Sequence, residues 1–303
     1  MSDVSILVPI YSQPNLLSLC LRGLVRNSVT NPRIIVLWSD AARFGEPTVR
    51  DWLFRPKTFE KYRKYGSVQE YIEKRRDFTQ ANNIEFADVT EQCYQFMLDC
   101  KAGKIGGVDH WEGGVDIALK DNLGLGMTKT EFITPNWDSD FYPTPGWDAF
   151  MVDVMRKAGP RSICVPIQMQ PLEYEVLPEY DDAWEDFRHI ACARLTMPVP
   201  IRGVALTTGG TTISDEEQEA FWNRWKIDGV FREKPGVRDR LHHFPVMYRT
   251  EELRNTLVGH SYIGSGYDVA IDNLCGELGF MKYSHLSAWI SHKAYINCDE
   301  GEL

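Results

Sequence analysis

Along the chain, short continuous apolar runs alternate with stretches in which apolar residues recur every three or four positions. Residues 5–11, Ser-Ile-Leu-Val-Pro-Ile-Tyr, predict a buried first strand because the run is short, apolar and unbroken. Ser12-Gln13-Pro14-Asn15 supplies turn and cap chemistry, and Leu16, Leu17, Cys20, Leu21, Leu24 and Val25 follow at helical spacing. Residues 33–38, Arg-Ile-Ile-Val-Leu-Trp, predict a second strand that ends in Ser39-Asp40. Strand, helix and strand within about 40 residues form a βαβ unit, which implies a parallel sheet with helices on its faces. Ligands of such sheets bind outside the carboxyl ends of the strands. Tyr11, Asp40 and the pair Asp138 and Asp140 all fall at such ends.

Further along, the pattern predicts a strand at 84–87, a helix at 89–100, a glycine-bracketed turn between 106 and 114, and a helix at 115–127 leading into the short run Phe132-Ile133. Residues 162–167 predict another strand, and 244–249 a return to the sheet. Residues 50–80 resemble a helical insertion, and 170–243 are irregular, with an acidic run and a glycine loop lacking the lysine of a P-loop. The absence of repeats and linkers favours one domain over residues 1–303. Within it, 1–168 and 169–303 form two halves, each with one of those insertions.

Charge narrows the picture. A net charge of −10 argues against a general polyanion-binding protein, since nucleic-acid affinity rests on Lys and Arg meeting phosphates. The exception is 50–76, where basic residues alternate with aromatics, either a solvated helical face or a surface for an anionic acceptor. No apolar run approaches the roughly 20 residues that cross a bilayer, and the first residues lack a signal-peptide pattern. Seven scattered cysteines with no CxxC spacing fit a reducing cytoplasm rather than a disulfide framework.

Candidate chemistry centres on "TPNWDSDFYPTPGWD" at 134–148. If the stretch is extended, period-2 alternation turns Asp138 and Asp140 to one side. Two anions that close repel unless a cation lies between them. In isolation, the Asp-x-Asp spacing also suits a turn or a helix cap.

The chain resembles glycosyltransferase family 2, whose members have the GT-A fold, in four landmarks. They are "SILVPIYSQPNLLSLCLRGL", then Asp40, then "DNLGLGMTKTEFITPNWDSD", and finally "MYRTEELRNTLVGHSYIGSGYDVAIDNLCGELGFMKYSHLSAWISHK". Residues 50–80 and 170–243 lie outside the likeness. The resemblance implies an α/β, Rossmann-like GT-A fold: a mostly parallel sheet flanked by helices, with helical and irregular insertions. It implies a donor nucleotide held by Pro9, Ile10, Tyr11, Asp40, Asn122 and Asp138. It also implies a divalent metal on Asp140, with Asp138 and His292 as further ligands, and Asp268 as the base of an inverting transfer. An imidazole ligand favours Mn²⁺ over Mg²⁺. Two departures stand out: Asp121 occupies the place of the family's Arg, with Lys120 the neighbouring cation, and the family's Glu-Asp pair is here Tyr267-Asp268.

The chemistry suits those residue types. Departure of a nucleotide diphosphate is eased by a hard cation on carboxylates, and a carboxylate can take the acceptor's proton. The expected reaction moves a hexose or pentose from a nucleotide-sugar, with a UDP-sugar favoured, to an acceptor hydroxyl. The acceptor stays open: a saccharide, a lipid carrier, a protein or a modified nucleobase in DNA. Tyr11 and Trp38 offer apolar walls to a base; Trp137, Trp147, Tyr267 and Asp272 are candidate sugar or acceptor contacts, although core packing suits the two tryptophans equally. Asp268 also suits a helix cap, and His292 an ordinary hydrogen-bonded histidine. Nucleotidyl transfer, phosphate hydrolysis and non-catalytic carbohydrate binding are the competing readings.

Overall fold

The computed structural model describes residues 2–10, 14–40, 66–104, 115–139, 141–169, 215–226, 228–233, 245–257 and 274–292. Its centre is a five-stranded sheet ordered β3-β2-β1-β4-β9. These strands are β1 (Val4–Ile10), β2 (Arg33–Trp38), β3 (Ile84–Asp88), β4 (Phe132–Thr134) and β9 (Tyr248–Arg249). The first four run parallel, and β9 pairs antiparallel along the outer edge of β4. Every residue of β1 is buried, as expected of a central parallel strand covered on both faces.

Helix α1 (Pro14–Asn27) opens on a proline, whose missing N–H costs nothing in a first helical turn. It buries Leu17, Cys20, Leu21 and Leu24 against the sheet. The parallel pair β2–β3 needs a crossover. Part of it is α2 (Val68–Lys74) and α3 (Arg76–Ala81), with Tyr71 of α2 buried and 6.3 Å from the ring of Phe86 on β3. Residues 66–81, read from the sequence as part of an insertion, therefore belong to the sheet's own connection; 50–65 lie outside the described residues. Helix α4 (Thr90–Lys101) follows β3, and α5 (Val115–Met127) precedes β4. On α5, Gly124 sits so close to the sheet that an added Cβ would lie 2.7 Å from Leu7 and 3.0 Å from Leu37. A side chain there would hold the helix off the strands.

Beyond β4 come β5 (Phe141–Pro143), α6 (Trp147–Ala158), β6 (Ser162–Cys164) and β7 (Ile167–Met169). After them lie α7 (Asp215–Trp225), β8 (Val230–Glu233), β10 (Met281–His285) and β11 (Trp289–His292). Two small sheets result, ordered β6-β10-β8 and β5-β11-β7. The single strand expected at 162–167 is thus two strands in different sheets, divided at Val165-Pro166. Proline has no N–H for a ladder, and Val165 N–H already donates to Tyr283 O at 2.8 Å. The return at 244–249 is likewise split: Met247 bridges Cys164, and only Tyr248–Arg249 joins the central sheet. Among the described residues, Cys20, Cys93, Cys164 and Cys275 are buried thiols outside any disulfide, and no helix is long and apolar enough to cross a membrane.

Candidate functional site

The chain steps outward from β1 to β2 to β3, then returns to lay β4 on the other side of β1. That reversal makes the carboxyl ends of β1 and β4 the switch point, where an open α/β sheet binds its ligands in a crevice. At the end of β1 the carbonyl of Ile10 accepts from Ser39 N–H at 3.3 Å and from the Lys120 ammonium at 2.7 Å. Asp40 follows β2 and is half-buried. Its N–H donates to Thr90 Oγ1 at 3.0 Å, and that hydroxyl donates to Asp88 Oδ1 at 2.5 Å. This chain of bonds ties the backbone of Asp40 to the end of β3 and the first residue of α4.

Asp138 is not on a strand. β4 stops at Thr134; Pro135 has no N–H, and Asn136 adopts φ 51°, both incompatible with continued extended pairing. Trp137 N–H still reaches Leu7 O at 2.9 Å, and Phe141 N–H then donates to Asp138 O at 3.1 Å. That bond spans four residues, so Asp138 opens a turn that ends where β5 begins. Period-2 alternation therefore does not apply at Asp138, where the sequence predicted extended backbone. Asp138 is half-buried, and Asp140 lies outside the described residues. Antiparallel pairing of β11 with β5 sets His292 opposite Phe141, the residue that follows Asp140.

Helix α5 underlies both sides of the crevice. Lys120 is fully buried, and Asp121, also buried, accepts from Asn136 N–H through Oδ1 at 3.1 Å. Asn122 is half-buried on the same turn. Burial pushes the nearby Cys93 thiol above its ordinary pKa, opposed by the Lys120 charge and a hydrogen bond with Ser39. The bonds made by Lys120 and Asp121 went unread in the sequence. Their signal was two consecutive charges in the middle of the helix "VDIALKDNLGLGM", directly after the apolar run Ile117-Ala118-Leu119.

Trp137 and Trp147 are corrected to core residues. Both have no exposed surface, and their rings pack on each other with centroids 4.6 Å apart. Trp147 also donates from Nε1 to Ser28 Oγ at 3.1 Å. A ring with no exposed face cannot stack on a sugar. Trp38, 5% exposed, is similarly part of the core. Pro9 and Ile10 stand at the crevice as the final residues of β1, whereas Tyr11, Tyr267, Asp268 and Asp272 lie outside the described residues. Among the described residues, no group of three or more His, Cys, Asp or Glu side chains gathers as a metal cluster.

No family model and no curated protein sequence matches the chain. Among solved structures, the fold is similar to that of "Crystal structure of GalNAc-T7 with UDP, GalNAc and Mn2+", with a TM-score of 0.50 at 11% identity. The likeness covers 98% of this chain and 44% of that one, so the chain spans less than half of its neighbour's length. At that identity the likeness is one of fold: a GT-A-like mixed α/β arrangement with a mainly parallel central sheet and flanking helices.

Proposed function

We propose that this protein is a metal-dependent glycosyltransferase that takes its sugar from a nucleotide-sugar, with a UDP-sugar favoured. The observation that carries the reading is the strand register that sets His292 opposite Phe141, next to the acidic turn opened by Asp138, at the switch point of the sheet. The fold neighbour holds UDP and Mn²⁺, which favours the same donor class and metal.

The donor set fits a divalent cation. A half-buried carboxylate on a turn, with a second acid two residues on and a histidine backbone paired beside them, offers oxygen and imidazole donors. Mn²⁺ accepts that mixture more readily than Mg²⁺. Asp138, Asp140 and His292 are the proposed ligands. The bound cation would neutralise charge on the departing diphosphate. Pro9, Ile10 and Tyr11 at the end of β1 receive the base, with Asp40 and Asn122 beside the nucleoside. Asp268, preceded by Tyr267, removes the proton of the acceptor hydroxyl as it attacks, giving inversion in a single displacement. Hexosyl or pentosyl transfer is the expected reaction class, and Asp272 a contact on the acceptor side.

The test is release of UDP from UDP-sugars in the presence of Mn²⁺. Asp138→Ala, Asp140→Ala and His292→Ala should each lower it by on the order of a hundredfold, as expected when a group stabilising developing charge is lost. Asp268→Asn should lower transfer by a similar order while leaving UDP affinity intact. Turnover of nucleoside triphosphates without UDP-sugar cleavage would replace this reading with nucleotidyl transfer.

A further inference from the structure

The described β1–β4 pairing ends at Ile6 opposite Thr134, followed by the single bond from Trp137 N–H to Leu7 O. Beyond that bond, each chain is tied to α5. Lys120 Nζ holds Ile10 O on the β1 side, and Asp121 Oδ1 holds Asn136 N–H on the β4 side. The two side chains are consecutive, so their Cα atoms stand about 3.8 Å apart by covalent geometry. Gly124, one turn on, allows the helix to rest directly on Leu7 and Leu37. Both lips of the crevice are thus referenced to one rigid helical turn.

Burying two charges is costly, and an apolar pair of similar size would pack the same space with less penalty. Lys120 is nevertheless fully buried and Asp121 nearly so. We propose that Lys120 and Asp121 are positioning residues that brace the end of β1 against the acidic turn and set the spacing at which a nucleoside diphosphate and its metal bind. The inference rests on the glycosyltransferase reading. A nucleoside diphosphate whose base sits at Ile10 and whose phosphates meet a cation at Asp138 gains affinity only when both ends are already in place. The brace contributes to that preorganisation without touching the ligand.

The experiment compares the full-length chain with Lys120→Met, Asp121→Ala and Asp121→Asn, using UDP with Mn²⁺ as the probe. Calorimetry is run well below each melting temperature, and amide hydrogen exchange is followed at Asn136 and Ser39. Lys120→Met and Asp121→Ala should weaken UDP·Mn²⁺ binding by about tenfold or more, the usual scale for groups that orient a ligand shell. Asp121→Asn keeps an oxygen that accepts from Asn136 N–H and should retain most of the affinity. Exchange at Asn136 should accelerate in Asp121→Ala and stay slow in Asp121→Asn. A lowered melting temperature with unchanged affinity would reduce the pair to ordinary stability and overturn the proposal. Asp121→Asn losing as much affinity as Asp121→Ala would overturn it too. If the wild-type chain binds no UDP with Mn²⁺, the enzyme reading fails by itself, and the donor-spacing role fails with it. Exchange at Asn136 still reports separately on the brace, and an unchanged rate in Asp121→Ala would remove that as well.

Discussion

Asp148, in the first turn of α6, has no exposed surface, and its carboxylate serves the loop that follows α1. It accepts from Val29 N–H at 3.1 Å, from Thr30 N–H at 2.8 Å and from the Thr30 hydroxyl at 2.6 Å. Asp148→Ala removes all three acceptor contacts and leaves two backbone donors to find water or go unpaired. Hydrogen bonds to a charged group are each worth about 1.5–3 kcal/mol. Val29 is 68% exposed, so its N–H regains water readily and its bond is discounted. Thr30 is half-buried and loses more. The net expectation is a loss of about 3 kcal/mol for Asp148→Ala, and roughly half of that for Asp148→Asn, which keeps one acceptor oxygen. Equilibrium urea unfolding, followed by tryptophan fluorescence and far-UV circular dichroism together, measures both. Asp148→Ala losing less than about 1 kcal/mol would refute the reasoning, because the contacts would then be replaceable by solvent. Asp148→Asn falling as far as Asp148→Ala would refute it differently, by showing that the charge and not the acceptor geometry matters.

On α5, Gly124→Ala forces a Cβ against two buried leucines and should cost about 1–3 kcal/mol. Gly126→Ala meets nothing within 4 Å on the same helix and should stabilise by about 0.5–1 kcal/mol, so thermal melts in which both changes moved the same way would count against the helix placement. The buried imidazole of His285 stacks on Phe150 at 4.4 Å and accepts from Ser287 N–H, with Asp228, Asp153 and Lys157 as the charged groups around it. Burial holds its pKa below the ordinary 6.5, so the unfolded chain takes up the proton first. Its contribution is therefore complete above about pH 6.5 and is lost as the pH falls through the lower folded value. His285→Gln should flatten that acid slope in urea titrations, and an unchanged slope would mean that another group sets it.

The parts of the fold that could be read from the sequence were those fixed by local pattern. The runs of β1 and β2 and the helix at α5 have ends within about a residue of those observed, and α1 extends two residues beyond its periodic apolar positions at each end, since burial on both faces or on one stripe dictates residue type. The acidic segment misled because Phe132-Ile133 resembles the start of a longer strand, while Pro135 and the left-handed Asn136 end it early. Trp137 and Trp147 were ambiguous for a different reason: an aromatic side chain suits a core and a sugar platform equally, and only packing separates them. Residues 66–81 looked like an addition because they lie outside the four landmarks, although Val68 and Tyr71 seat the crossover in the core. Pairing of β11 with β5 had no local signature at all.

That pairing has a consequence for how the molecule is assembled. Phe141 and His292 meet across about 150 residues of intervening chain, a contact that can form only after a large loop has closed. The end of β1, the α1 helix and β2 are by contrast built from neighbours in sequence. A nascent chain can pair β1 with β2 long before the β5–β11 ladder exists, and fraying of that short ladder would release β11 while the central sheet stayed folded.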